Sequence, residues 1–157
     1  MTISVTIKEF EDKIMLVKKK RKTGKPQYWT VNGQSLYNAT LHFRARGKVT
    51  EYFHKYLSKY IKEQISTEQI FKLEEYMHEH PEERISISLD IYEVKRGKMP
   101  DIGNMWIWIK WFEDALQECG VITNDNPDYI IESGRKRYHW VNTPEERKLL
   151  FKINFVK

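Results

Sequence analysis

The chain has 157 residues, 40% of them hydrophobic and 31% charged, and 27 Lys and Arg against 22 Asp and Glu give a formal net charge of +5. That length suits one domain with a real core, spanning 1–157. The single cysteine, Cys119, excludes an internal disulfide and a Cys-based zinc site, no apolar run approaches the ~18 residues of a membrane span, and the first residues lack the basic and apolar blocks of a secretion signal, so a reducing, cytoplasmic setting is expected.

Ile3, Val5 and Ile7 alternate with Ser4, Thr6 and Lys8, the period of a strand with one buried face. Residues 13–19 and 27–32 predict a hairpin around Gly24 and Pro26. Its connecting run, "KKKRKTGK" at 18–25, carries six positive charges and no negative one. "VNGQS" signals a turn, and residues 33–48 read as a basic loop. From Glu51 to Gln64, Phe53, Tyr56, Leu57, Tyr60 and Ile61 follow a helical stripe. Ser66 and Gln69 fit a capping box opening a second helix to about Glu79, which Pro81 ends.

Ile85, Ile87, Leu89 and Ile91 then alternate with polar residues as a strand, and "KRGKMP" is a loop. Residues 104–119 are apolar nearly all round, which predicts a helix buried on several sides or lying in a subunit interface. Gly120 is a natural stop. Tyr129 and Ile131 suggest a further strand, and Leu149, Phe151, Ile153 and Phe155 a last one. Strands at both ends with helices between them predict a mixed α/β (α+β) domain, a mixed sheet with helices packed on it.

Two carboxylates, Asp101 and Asp125, bracket the tryptophan-rich helix. A loop folding back after Cys119 is long enough to bring them together. Clustered carboxylates hold Mg²⁺, a hard cation that takes oxygen ligands, and a held metal activates water and stabilises charge on a phosphodiester. The plain alternative is that Asp101 caps the helix and Asp125 makes an Asx-turn before Asn126-Pro127. Lys110 stands at i, i+4 from Asp114, so a surface ion pair competes with a role at phosphate. His42, Arg44, Arg46 and Lys48, together with Lys18, Lys19, Lys20 and Arg21, supply cations for a phosphate backbone; a solvated basic loop is the alternative. The five histidines form no convincing zinc set.

The run Pro100-Asp101-Ile102-Gly103-Asn104, then Lys110-Trp111-Phe112-Glu113-Asp114-Ala115-Leu116, Gly120-Val121-Ile122 and Asn124-Asp125-Asn126 resembles the RusA family of Holliday junction resolvases. A looser likeness over most of the chain includes Ser35 to Asn38, which places Asn38 among the DNA-contacting residues. The resemblance implies a homodimeric endodeoxyribonuclease of bacterial or phage type that nicks four-way DNA junctions in pairs with Mg²⁺ or Mn²⁺. It implies Asp101 and Asp125 as metal ligands, Asn104 as an orienting residue and Lys110 as the catalytic lysine. Gly103 stands where the family has a second Asp, and Asn124 replaces the first member of an acidic pair. Asp90, Asp114 and Asp128 are the candidates to make good the missing ligand. A catalytically impaired branched-DNA-binding protein of the same fold is the second reading.

Overall fold

A computed structural model describes residues 1–17, 22–37 and 42–157. Lys18, Lys19, Lys20, Arg21 and Asn38 lie outside the described residues. The elements run β1 (Ile3–Lys8), β2 (Lys13–Val17), β3 (Gln27–Thr30), α1 (Gly33–Tyr37), α2 (Phe43–Gln64), α3 (Thr67–Glu79), β4 (Arg84–Val94), a 3-10 turn (Ile102–Met105), α4 (Trp106–Glu118), β5 (Ile130–Val141), a second 3-10 turn (Pro144–Glu146) and β6 (Lys148–Val156). The fold is mixed α+β, as the alternating and helical patterns predict. A four-stranded sheet in the order β1-β6-β4-β5 carries the helices, and β2 with β3 forms a separate hairpin. β6 is antiparallel to both β1 and β4, whereas β5 is parallel to β4, so the chain crosses over between them through α4.

The sheet has two unlike faces. Ile7, Ile87, Leu89, Phe151 and Ile153 point to one side and are buried. On that side α4 lays Phe112 flat on Phe151, with ring centroids 4.1 Å apart, and α3 brings Tyr76 to Phe155. The other side carries hydroxyl and charged residues, considered below. β-Strands alternate faces at every residue, so one sequence pattern sets both surfaces.

The helix ends follow from local chemistry. Ser66 and Gln69 form the expected capping box at α3. Past α4, the Gly120 N–H donates to the Gln117 carbonyl and the Val121 N–H to the Leu116 carbonyl, at 3.1 and 2.9 Å. This Schellman pattern needs a left-handed residue, and Gly120 supplies it with φ of 71°. Val121 is buried just beyond, so the chain leaves the helix pinned rather than frayed.

One expectation is corrected. Residues 33–37 and 43–48 are helical rather than loop. Asn32 accepts hydrogen bonds from the Gln34 and Ser35 backbone and opens α1, and α2 begins at Phe43. The apolar stripe of α2 extends back through Val49 to the half-buried Ala45, a four-residue spacing that the charges and Gly47 conceal. The tryptophan helix needs no subunit interface for its burial. Ile107, Trp108, Ile109, Trp111 and Phe112 are all buried within the chain, and only Trp106 is substantially open. Trp106 instead covers α1: a Cβ on Gly33 would overlap its indole, and Tyr37 stacks on it.

Phe53 of α2 is the centre of this packing. It stacks on Trp111 at 4.7 Å and meets Trp108 edge-on at 5.3 Å. Phe53→Ala is expected to cost about 3–5 kcal/mol, the range for a buried Phe truncation. Equilibrium urea denaturation measures it, and a loss below ~1 kcal/mol would show that this contact does not hold α2 on α4.

Candidate functional site

With Trp108, Trp111, Phe112 and Ala115 turned inward, the next stripe of α4 presents Lys110, Glu113 and Asp114 toward solvent. The Schellman turn sends the chain back alongside. Asn124 accepts from the Asn126 N–H and Asn126 from the Asp128 N–H, so the Asx-turns use the asparagines rather than Asp125. Asp125 is thereby free to meet α4. Its Oδ2 lies 3.1 Å from Lys110 Nζ, and Asp114 Oδ1 lies 2.8 Å from the same nitrogen. The surface-pair reading of Lys110 with Asp114 is therefore present, but with Asp125 as a second partner.

Burial alone would lower the Lys110 pKa; the two carboxylates outweigh it and push it above its usual range. Asp114 also faces α2. His54 Nε2 stands 3.3 Å from Asp114 Oδ2, and His54 Nδ1 stands 3.4 Å from Glu118. Burial would raise Asp114, yet His54 and Lys110 hold it below the ordinary carboxylate range. Glu113 is tied to the Ser133 hydroxyl of β5, and burial pushes its pKa up despite that bond. His54 and Glu113 were not read as site residues from the sequence. Their signal was positional: Glu113 shares the Lys110–Asp114 stripe, and His54 follows the Phe53 that locks α2 to α4.

A cleft of about 560 Å³ opens beside this cluster, lined by Tyr37, Phe43, Arg46, Thr50, His54 and Glu118 among others. Tyr37 and Phe43 are 61% and 62% exposed and both line this cleft. Arg46 lies over the Tyr37 ring and Arg44 over Phe43. His42 caps α2, accepting from the Arg44 N–H at 3.3 Å. The first turn of α2 holds no acid, so Arg44, Arg46 and Lys48 add to the positive end of a 22-residue helix. They stand on a helix and not in the basic loop that the sequence predicts.

The remaining expected residues are dispersed. Asp101 precedes the 3-10 turn without capping it through its side chain. The Asn104 N–H donates to the Asp101 carbonyl at 2.9 Å. Asp101 and Lys110 are joined by one 3-10 turn and the first turn of α4, roughly 15 Å of rise if collinear, and the charge of Asp101 acts on Tyr138. Asp128 is exposed in the loop before β5. Asp90 is excluded as a third ligand at Asp125: it lies on the face of the sheet opposite α4, bonded to His139 at 2.7 Å and paired with Lys152.

Asp114 and Asp125 fit a divalent cation in donor chemistry. Both are hard oxygens converging on one point, and that point is held by a cation, the Lys110 ammonium. Among the described residues, three such ligand atoms lie within 4.8 Å of one another only at His80, Glu82 and Glu83, in the turn after α3. There Glu83 accepts from the Tyr76 hydroxyl and the His80 ring packs on Tyr76.

His54 gives a pH signature. The Asp114 carboxylate beside it raises its pKa in the folded protein, outweighing burial, with Glu118 adding to the rise. A raised folded pKa means that the stabilisation is full below the unfolded value near 6.5 and fades as pH climbs through the folded value. The wild type is expected to lose stability as pH rises above about 6.5 relative to His54→Asn, whose profile should be flatter there. Parallel profiles in thermal melts would remove the His54–Asp114 interaction from the site.

No model of a known protein family matches the chain, and no curated protein matches it.

Proposed function

We propose that the chain is a metal-dependent endodeoxyribonuclease that acts on branched DNA, with four-way junctions as its substrate. The observation that carries this reading is the return of Asp125 to α4, where it shares the Lys110 ammonium with Asp114. A carboxylate pair gathered on one cation stands beside an aromatic cleft and the basic start of α2. That combination suits a phosphodiester: cations take the flanking phosphates, and acids hold the metal at the bond to be cut.

Asp125 and Asp114 would hold Mg²⁺ or Mn²⁺; Asp101, which the resemblance implies as a ligand, stands a 3-10 turn and a helical turn away from them. When bound, the metal supplies activated water and charge stabilisation at the phosphodiester. Lys110, displaced from between the carboxylates, is placed to stabilise phosphate charge. Asn104, tied to the Asp101 backbone, orients the loop that carries Asp101. Arg44, Arg46 and Lys48 position the backbone and carry no sequence information. A two-fold homodimer would present two equivalent sites to the opposed strands of a junction.

The second reading, a branched-DNA-binding protein with an impaired metal site, is favoured by one observation: Gly103 provides no carboxylate. A Cβ there meets nothing within 4 Å, so Gly103→Asp is sterically compatible with the fold.

The reading is tested with a synthetic four-way junction and Mg²⁺. The wild type should give paired nicks. Asp125→Asn should lose at least ~100-fold in nicking rate, since even outer-sphere losses at metal sites cost 10–100-fold, while still shifting the junction in a gel. Asp90→Asn, altered on the opposite face, should cut as the wild type does. Wild-type nicking by Asp125→Asn would overturn the site. Binding without nicks in the wild type, with nicking gained in Gly103→Asp, would establish the impaired reading.

A further inference from the structure

The face of the sheet opposite the helices is a charged surface that the proposed site does not use. Register places its side chains in rows across the four strands. Ser4, Lys152, Ser88 and Arg135 make one row; Lys8, Lys148, Tyr92 and His139 make another, four residues along. Between them run Thr6, Leu150, Asp90 and Arg137. Across these rows five Lys and Arg side chains face one acid, Asp90.

That acid is already committed. Asp90 sits between His139 and Lys152, at 2.7 and 3.4 Å, which leaves Lys8, Lys148 and Arg137 unneutralised on the face. One row beyond, Glu132 pairs with Arg135. Lys148 lies over the Tyr92 ring at 4.5 Å, and Tyr92 stacks on His139, so the aromatic pair braces the cations and is not itself open for stacking. Arg135 and Arg137 stand about 6.7 Å apart along β5, Lys148 and Lys152 about 13 Å apart along β6, and Lys8 lies ~4.8 Å from Lys148 on the neighbouring strand.

We propose that this open face binds the sugar-phosphate backbone of duplex DNA. The argument is charge complementarity: cations and hydroxyls on a broad sheet suit phosphate oxygens, which accept from both. Stacking the same face on a second copy would set cation against cation. The surface lies on the other side of the sheet from Asp125, so it takes a duplex segment different from the one presented to α4. The proposal does not rest on the nuclease reading, and it assigns Lys8, Lys148 and Arg137 a role that cleavage does not require.

Fluorescence anisotropy of a labelled linear duplex, in EDTA and across a salt series, tests it. Replacing Lys8, Arg137 and Lys148 together by Gln should weaken binding at least ~10-fold at low salt. It should also reduce the slope of log K against log salt by about 2–3, near 0.9 for each lost phosphate contact. The single Arg137→Gln, at an exposed edge position, should reduce the slope by about 1 and covers the case in which the triple variant does not fold. Unchanged affinity and slope in a folded variant overturns the proposal, including the case in which the face serves an acidic protein or a second copy. Because no metal is present, this result is independent of junction nicking: loss of duplex binding with nicking absent in the wild type would leave this face assigned and the nuclease reading rejected.

Discussion

The contact of Phe53 with Trp108 and Trp111 sets the rotation of α4, and nearly everything functional follows from that rotation. Phe53 fixes the helix from above and Phe151 fixes it from below through Phe112. With both flanks filled by aromatic rings, α4 has one orientation that buries its apolar residues. Lys110, Glu113 and Asp114 are the residues left facing outward. Gly120 then ends the helix with a fixed exit, and the exit decides where Asp125 arrives. A site built this way is positioned by core packing and not by loop chemistry, which is the more rigid of the two solutions.

The second constraint is electrostatic. Three carboxylates near one helix edge repel one another in a partly buried setting. Lys110 resolves the conflict between Asp114 and Asp125, His54 takes the other side of Asp114, and Ser133 takes Glu113. The same arrangement is what a divalent cation would relieve more strongly. Apart from Lys110, basic residues collect at the start of α2, beside the cleft, as Arg44, Arg46 and Lys48, and on the far face of the sheet, as Lys8, Arg137, Lys148 and Lys152. The modest net charge of +5 thus hides a segregated surface, and segregation matters more than the total for a polyanionic partner.

Much of the fold was legible because its signals are local. Alternation in Ile3–Lys8 and Arg84–Val94, the Ser66–Gln69 box and the stop at Gly120 each depend on neighbours within a few residues. The start of α2 was missed because Gly47 and the charges around it mask a stripe whose members, Ala45 and Val49, are small. The site was half legible. Lys110, Asp114 and Asp125 were named, but their convergence depends on how the chain returns after α4. Asp90 was offered as a spare ligand although its place on the polar face of its strand already set it opposite the covered, apolar side. Arg147 was invisible because its partners are distant in sequence: its guanidinium grips the buried Glu93 at 2.6 and 2.9 Å and lies over Phe10.

The central claim is that Asp114 and Asp125 converge on a point built to hold a cation. Calorimetric titration of the protein with Mn²⁺ tests it most directly. The account predicts one divalent ion bound per chain by the wild type, lost in both Asp114→Asn and Asp125→Asn. Binding of the same ion with unchanged affinity in either variant would contradict it and would point instead to His80, Glu82 and Glu83.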